Sequence, residues 1–305
     1  MDLAIMLEGQ NGLTWPKWQR IARAVEELGF AGLYRSDHFT NAEGPDIDSL
    51  ELWTSLTWLA GHTQRIEFGP IVTPVSFRNP AFTARIGKDV DDLSGGRLTL
   101  GVGAGWQVRE HNAFGFDLLD VPARMRRFQE GVEVISRLLH SDTPVSFDGE
   151  TYHLRDAILL PRPQRPGGPP LLIGGNGPKR TLPLAAQYAD EWNGVFIPAA
   201  KFAELTAHLD ELAEERGRAP ASIRRSLMTG SVFGATPAEV TARLAGRSAD
   251  ELRGRGIIVG TPSEVVEQLG RLAEVGVQRL MFQWLDLDDI GGLETLAAQV
   301  LPHFS

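Results

Sequence analysis

The stretch Phe30-Ala31-Gly32-Leu33-Tyr34-Arg35-Ser36-Asp37-His38-Phe39 decides the fold. Its apolar first part is typical of a buried parallel strand, and it follows a helix-patterned segment that ends before Gly29. An ionisable pair, Asp37 and His38, comes directly after the strand. Parallel α/β sheets and barrels place their chemistry at the C-terminal ends of strands, so the pair indicates an active site. The alternative is that Asp37 caps the next helix and His38 is an ordinary loop residue.

Composition narrows the class of protein. The chain has 305 residues, of which 42% are hydrophobic, so it is long enough for one large barrel or two ordinary domains. It contains no cysteine, which excludes disulfides, thiolate metal sites and cysteine nucleophiles and suits a cytoplasmic location.

Charge and hydropathy argue against several partners. The formal net charge is -9 without a long basic run, so we expect no nucleic-acid partner. The first residues, Met1 to Leu7, lack the basic start of a signal peptide, and no apolar stretch approaches the ~20 residues of a membrane span. The histidines show no metal-ligand spacing, so we also expect no metal site.

Strand and helix patterns alternate along the whole chain. Eight apolar strands, each followed by a helix, predict a single (β/α)8 TIM barrel over residues 1–305. The alternative is a doubly wound sheet with a small second domain, but a closed barrel better explains why no strand has a polar edge. The predicted strands are Asp2–Leu7, Phe30–Arg35, Ile66–Val72, Arg97–Val102, Pro170–Ile173, Glu191–Phe196, Ile223–Phe233 and Val277–Trp284.

Three stretches interrupt the alternation, and we expect them at the C-terminal mouth of the barrel. Thr143–Arg155 has Asp148-Gly149 between short alternating runs, which predicts a β-hairpin. Pro161–Pro170 is an ordered loop rich in proline and glycine, and Arg247–Gly256 is a polar insertion before the eighth strand.

Two glycine-rich turns follow predicted strands. Gly101-Val102-Gly103-Ala104-Gly105-Trp106 has tryptophan where a dinucleotide fingerprint needs its third glycine. Its glycines indicate either a flat ligand against the backbone or a tight barrel turn. Gly174-Gly175-Asn176-Gly177-Pro178-Lys179-Arg180-Thr181 combines glycines, a helix start and two cations, which favours an anion site over a simple βα turn.

These motifs together resemble the bacterial luciferase-like flavin superfamily, and within it the coenzyme F420-dependent oxidoreductase branch. The resemblance runs from Leu3 to about Trp192 and continues more loosely to the end. Its further marks are Leu7-Glu8-Gly9-Gln10-Asn11-Gly12, Arg35-Ser36-Asp37-His38-Phe39, Phe77-Arg78-Asn79-Pro80, Asp92-Leu93-Ser94-Gly95-Gly96-Arg97 and Pro170-Leu171-Leu172-Ile173-Gly174-Gly175.

The resemblance implies a barrel with a deazaflavin or flavin at its mouth, commonly in a homodimer. It implies a non-prolyl cis peptide between Ile71 and Val72, and an acidic cofactor tail that passes Lys179 and Arg180, with Arg124, Arg126 and Arg127 as further contacts. The remaining implied cofactor residues face the ring and its side chain or take the phosphate; they are Asp37, Thr73, Gly103, Ala104, Gly174, Gly175, Asn176, Gly177, Arg180 and Thr181.

The reaction predicted is hydride transfer between coenzyme F420 and a small organic substrate. His38 is the expected general acid/base, Asp37 would orient His38 or bond the ring, and Glu110 is a second acid/base candidate. Sugar-phosphate dehydrogenases of this branch carry glutamate where this chain has Trp106, which is therefore expected to be a wall of the substrate pocket. The alternatives are an FMN-dependent monooxygenase and a non-catalytic cofactor-binding relative.

Overall fold

A parallel β-barrel surrounded by helices forms the core of the computed structural model, which describes residues 1–304. Ten strands make one sheet; they are β1 (Asp2–Leu7), β2 (Gly32–Arg35), β3 (Glu67–Pro70), β4 (Thr73–Pro74), β5 (Leu100–Gly103), β8 (Leu171–Gly174), β9 (Glu191–Val195), β10 (Arg224–Phe233), β11 (Ile258–Gly260) and β12 (Arg279–Trp284). Their order in the sheet is β3-β2-β1-β12-β10-β9-β8-β5-β4, with β11 beside β10.

Helices follow the strands and cover the outside of the barrel. Most of them begin where a polar side chain or a proline supplies the helix start, as with Asn79 and Pro80 or Asp120 and Pro122. The helices are α1 (Trp15–Glu27), α2 (Leu52–His62), α3 (Pro80–Ser94), α4 (Val108–Phe114), α5 (Val121–His140), α6 (Thr181–Tyr188), α7 (Ala199–Glu215), α8 (Pro237–Leu244), α9 (Ala249–Gly254), α10 (Pro262–Glu274) and α11 (Ile290–Gln299).

The barrel has eight strand positions because β3 and β4 are two segments at one position, of which the predicted strand Ile66–Val72 covers only β3. They are separated at Ile71 and Val72, whose peptide bond is cis, at the place that the resemblance implies. Closure comes from a parallel bridge between Phe68 and Leu98, just before β5. The (β/α)8 TIM-barrel prediction is therefore confirmed.

Alternation along the strands separates two apolar layers. In β1, Leu3, Ile5 and Leu7 belong to the large core between barrel and helices, whereas Ala4 and Met6 belong to a small cluster inside the barrel. This period-two pattern is the one that a closed barrel buried on both faces requires. The inner cluster ends just below the C-terminal mouth, where it forms the floor of a cavity.

Charged side chains fill the opposite, N-terminal end of the barrel. Arg279 is fully buried and donates to the Tyr34 hydroxyl at 2.6 Å and to Glu191 Oε2 at 2.9 Å. It also forms an ion pair with Glu67, which in turn lies near Arg224. Each buried charge here therefore faces an opposite charge.

The structure adds elements that the sequence patterns missed. The insertion predicted over Arg247–Gly256 contains α9 and leads into β11, which extends the sheet beside β10. The predicted hairpin exists as β6 (Val145–Asp148) and β7 (His153–Ala157), and it contacts α5 without lining the mouth cavity. Within residues 1–304, no helix is both long enough and apolar enough to cross a membrane.

Candidate active site

A cavity of about 410 Å³ opens at the C-terminal ends of the barrel strands. It lies where parallel barrels place their reactive groups, because the connections after the strands converge there. The predicted site residues that line it are Asp37, His38, Ile71, Val72, Trp106, Glu110, Gly174 and Gly175. The other predicted residues lie outside this lining; they are Thr73, Gly103, Ala104, Asn176, Gly177, Arg180 and Thr181.

His38 and Glu110 form a hydrogen-bonded pair at one side of the cavity. His38 Nδ1 lies 2.8 Å from Glu110 Oε1, and Glu110 Oε2 accepts a hydrogen bond from the Phe39 backbone at 3.0 Å. Glu110 is 1% exposed and His38 16%. With Nδ1 held by the carboxylate, Nε2 is the ring nitrogen left to exchange a proton, and it has no hydrogen-bond partner among the described residues.

The surroundings of His38 favour its protonated form. Burial lowers the pKa of His38, but the hydrogen bond and negative charge of Glu110 outweigh this effect, helped by Glu8 and Asp37. The net pKa of His38 therefore lies above its ordinary value.

The first turn of α4 brings Glu110 to His38. Gln107 caps this helix by accepting a hydrogen bond from the Glu110 backbone at 3.2 Å, and its amide also donates to the Thr40 carbonyl at 2.8 Å. This bond ties α4 to the loop after β2, so the two halves of the pair approach each other from separate connections. Gln107 therefore holds α4 in place beside His38, and the sequence motifs did not indicate it.

Asp37 makes contacts different from those expected. Its Oδ2 accepts hydrogen bonds from Thr73 Oγ1 at 2.7 Å and from Arg78 at 2.5 Å. Arg78 also bridges to Glu51 at 2.8 Å, so its charge is shared between two carboxylates. Of the two roles expected for Asp37, the contact with the His38 ring is made by Glu110 instead, since Arg78 and Thr73 hold Asp37, and the bond to a cofactor ring stays a prediction.

Glu8 is a further carboxylate of the cavity, and it was not among the predicted site residues. Gln283 donates to its Oε1 at 2.7 Å and Gln10 to its Oε2 at 2.8 Å. It lies just past the end of β1, so the rule that identified Asp37 and His38 applies to it as well. Among the described residues, the lining contains no lysine or arginine.

Two glycines make room for the side chain of Val72. A Cβ at Gly103 would lie 2.3 Å from Val72 Cγ2, and one at Gly174 would lie 3.2 Å from Val72 Cγ1. Val72 thus occupies the space that side chains at these positions would need. It forms part of the cavity lining with Ile71.

The loop after β8 has the features of an anion site. The backbone N–H groups of Asn176, Gly177, Lys179 and Arg180 find no acceptor within residues 1–304. They precede the first turn of α6, where a helix favours negative charge. The Asn176 side chain itself is engaged with the end of β9, since its amide and the Val195 backbone bond each other at 2.7 and 2.9 Å.

Trp106 stands at the rim of the cavity. The residue is 60% exposed, and its ring meets the His38 ring edge-on, with 5.6 Å between the ring centroids. A large apolar side chain beside His38 shapes the space next to it.

Within the part of the chain that the structure describes, no three or more histidine, aspartate or glutamate side chains are grouped so that they could hold a metal ion.

A parallel barrel of eight positions with ionisable groups at the C-terminal mouth defines the TIM-barrel class of enzymes. Within that class, the chain belongs to the luciferase-like monooxygenase family, whose model matches residues 3–249. The superfamily resemblance is therefore confirmed.

Known relatives differ in the activity that their names state. The chain is 28% identical to an F420-dependent glucose-6-phosphate dehydrogenase of Kineococcus radiotolerans, over 91% of this chain and 90% of that protein. It is 33% identical to a 4-hydroxyprotoasukamycin monooxygenase of Streptomyces nodosus subsp. asukaensis, over 58% and 46%. An F420-dependent secondary alcohol dehydrogenase solved with an F420-acetone adduct has the same fold, with a TM-score of 0.85, 21% identity and complete coverage of both chains.

Proposed function

We propose that this protein is an oxidoreductase that transfers a hydride between coenzyme F420 and a small, uncharged organic substrate. The observation that carries the proposal is one cavity with the His38–Glu110 pair on one side and the glycine loop that starts at Gly174 on another. The names of several relatives, which are F420-dependent dehydrogenases, support the choice of cofactor.

The residues present fit a phosphate-bearing tricyclic cofactor. The free N–H groups of the loop from Asn176 to Arg180, with the Thr181 hydroxyl beside them, would take the phosphate. Ile71 and Val72 offer an apolar surface for the ring, and Asp37, fixed by Arg78, would bond its edge. When bound, the deazaflavin supplies a carbon centre that carries a hydride.

His38 would handle the proton that accompanies the hydride. In the direction of carbonyl reduction, Nε2–H donates its proton to the substrate oxygen, and in alcohol oxidation neutral Nε2 accepts the proton back. Glu110 keeps Nδ1 bonded in both states and stabilises the charged imidazolium. Glu110 is thus proposed as a positioning group rather than as a second acid or base.

The charge of the cavity favours an uncharged substrate over a sugar phosphate. Three carboxylates line it, Glu8, Asp37 and Glu110, whereas its described lining contains neither lysine nor arginine. A phosphate monoester carries roughly -1.5 to -2 charges at neutral pH and would find three carboxylates there but no lysine or arginine, with His38 as its single cationic partner in the described lining. Trp106 would form the apolar wall of the substrate space.

The cofactor is tested by parallel titrations of the purified protein with coenzyme F420 and FMN, followed by tryptophan fluorescence. We expect tighter binding of coenzyme F420, and weaker binding in Gly177→Val, because a Cβ there would lie 2.9 Å from Thr181 Oγ1. Gly61→Val is the matched control, since a Cβ at Gly61 meets no atom within 4 Å.

Tighter binding of FMN would favour the second candidate function, a flavin monooxygenase. The 33% identity to a named monooxygenase is the observation that keeps this candidate open. Oxygen consumption with reduced FMN would then be the decisive measurement.

We also propose that the protein is a cytoplasmic homodimer. Phe82 and Leu93 are 54% and 57% exposed on α3, and their spacing of three helical turns places them on one face. Arg85 and Asp89 are exposed between them, and interfaces between protein copies combine apolar contacts with a polar rim of this kind. Light scattering after gel filtration would show a dimer for the natural chain and a monomer for Phe82→Glu, and a monomeric natural chain would contradict the proposal.

A further inference from the structure

One half of the cavity wall carries no role in the proposed function. The groups used so far come from the connections after β2, β5 and β8 and from the segment between β3 and β4. The strands β9, β10, β12 and β1 are adjacent in the barrel and lead into the rest of the wall. We call this part of the lining the β9–β1 half; its side chains include Glu8, Gln10, Asn193, Val195, Phe196 and Met228.

Glu8 is the carboxylate of the cavity that has no cation paired with it. The other two carboxylates each have a cationic partner, whereas within residues 1–304 Glu8 forms no ion pair. Its hydrogen-bond partners are the neutral amides of Gln10 and Gln283. Because the two oxygens of a carboxylate offer about four acceptor sites, Glu8 can accept further hydrogen bonds from a ligand.

The position of Glu8 is fixed relative to His38. Gln10, which donates to Glu8, accepts a hydrogen bond from Ser36 Oγ at 2.7 Å, and Ser36 Oγ also accepts one from the Gly9 backbone at 3.0 Å. Ser36 lies two residues before His38. The charge of Glu8 contributes to the raised pKa of His38, and both side chains line the same cavity. A substrate that meets His38 at one end can therefore reach Glu8 with another part.

Phe196 is the aromatic group of the β9–β1 half, and its backbone is strained. Its φ of 49° lies in the left-handed region that residues other than glycine rarely adopt. Its N–H donates to the Met228 carbonyl at 3.0 Å, and a Cβ at Gly230 would lie 3.3 Å from Cε1 of its ring. Strand β10 thus holds Phe196 in place at the cavity, and strain of this kind is common where a side chain contacts a ligand.

The groups of this half match a hydroxyl on a carbon skeleton. A hydroxyl both donates and accepts, so it can bond the Glu8 carboxylate and an amide N–H of Gln10 or Gln283 at the same time. An ammonium group only donates, and protonated His38 would repel its charge. The ring of Phe196 offers a flat apolar surface for the C–H groups of the skeleton.

We propose that the β9–β1 half binds the end of the substrate that does not react, and that Glu8 selects a substrate with a hydroxyl group there. The substrate class is then a neutral ketone, or the corresponding alcohol, with a further hydroxyl remote from the reacting carbon. Phe196 packs against the skeleton between the two groups. This inference rests on the proposed function, because His38 defines the reacting end.

A matched pair of ring ketones tests the selection. The probes are 4-hydroxycyclohexanone and 4-methylcyclohexanone, which differ by a hydroxyl in place of a methyl group of similar size. Their dissociation constants are measured by ligand-observed NMR on the protein loaded with oxidised coenzyme F420, which has no hydride to give. We expect the hydroxy compound to bind roughly tenfold more tightly, since its hydroxyl bonds a charged acceptor.

The variant Glu8→Gln keeps the size of the side chain and replaces an acceptor oxygen with a donor, so the preference should disappear while the affinity for the methyl compound changes little. Its matched control, Glu204→Gln, removes the same charge from an exposed position outside the cavity and should keep the preference. Phe196→Ala should weaken both probes by a similar factor, because both rings lose the same contact.

The ratio of the two dissociation constants isolates the hydroxyl, since both probes present the same carbonyl to His38. Equal affinity of the natural protein for both probes, or a preference that survives in Glu8→Gln, would overturn the selection. The proposed function is judged separately, by turnover of 4-hydroxycyclohexanone with reduced coenzyme F420. Absence of turnover beside a preference that depends on Glu8 would refute the proposed function and leave the subsite standing. If coenzyme F420 does not bind, the two constants measured on the protein alone decide the subsite.

Discussion

The two ends of the barrel bury charges in opposite ways. At the N-terminal end, Arg279 meets Glu191, Glu67 and the Tyr34 hydroxyl, so its charge is balanced within the protein. At the C-terminal mouth, His38 has one nitrogen held by Glu110 and the other without a partner in the described chain. Opposite charges at the N-terminal end support the fold, although Arg279 Nε and Glu191 Oε1 are buried there without hydrogen-bond partners. The unpartnered nitrogen at the mouth belongs to a residue that lines the cavity, which makes it available for chemistry.

The largest expected effect is a loss of turnover, and it comes from a substitution at the C-terminal mouth. His38→Ala should reduce turnover by about 10²–10⁴-fold, because it removes the proposed proton donor, while the affinity for cofactor changes little. The measurement is steady-state turnover with a cofactor titration beside it, and His62→Ala, at an exposed histidine stacked on Trp58, is the control. Undiminished turnover in a variant that still binds cofactor would refute the role.

The second largest expected effect is a loss of stability, and it comes from a substitution at the N-terminal end of the barrel. Arg279→Met should lower the free energy of unfolding by about 3–5 kcal/mol, because it leaves the buried Glu191 carboxylate without its cation. Urea denaturation measures the loss, and the double variant Glu191→Gln/Arg279→Met should recover part of it. A loss below about 1 kcal/mol would show that this end resembles a solvated surface pair.

The smallest expected effect is a change in the pH dependence of the rate, and it tests the hydrogen bond between His38 and Glu110 at the mouth. The pKa of His38 is raised, so its proton is retained above the ordinary histidine range, and the reductive rate should fall only as pH rises through that raised pKa. In Glu110→Gln the carboxylate charge is gone and burial dominates, so the fall should begin at lower pH.

Loss of the charged hydrogen bond should also slow turnover by roughly tenfold. A pH–rate profile checks both effects, and an unmoved profile would contradict the pairing. Phe39, whose backbone also bonds Glu110, can keep the glutamine side chain in place, so a change of profile reports charge rather than misfolding.

The sequence predicted the barrel well because strand burial and helix periodicity are local patterns. It predicted the mouth position of His38 for the same reason, since the end of β2 is visible as the end of an apolar run. It could not predict that Glu110 rather than Asp37 holds His38, because that contact joins positions 72 residues apart and depends on α4.

Other misses have the same origin. Arg78 was visible only as part of a family motif, and its contact with Asp37 appears only once β4 and the loop after β2 are adjacent. β11 was hidden because its three residues are too few for a periodic pattern.

The side chain of Val72 offers a structural reason for glycines that a sequence motif would attribute to a bound ligand. Gly103 is required by a neighbour inside the protein, since a Cβ there would lie 2.3 Å from Val72 Cγ2, whereas a Cβ at Gly174 would lie 3.2 Å from Val72 Cγ1 and would need only a small shift of that side chain. A relative that lost its cofactor while keeping this valine would therefore still need Gly103. The glycine at this position thus reports the architecture of the mouth, and the loop from Asn176 to Thr181 is the better indicator of a bound cofactor.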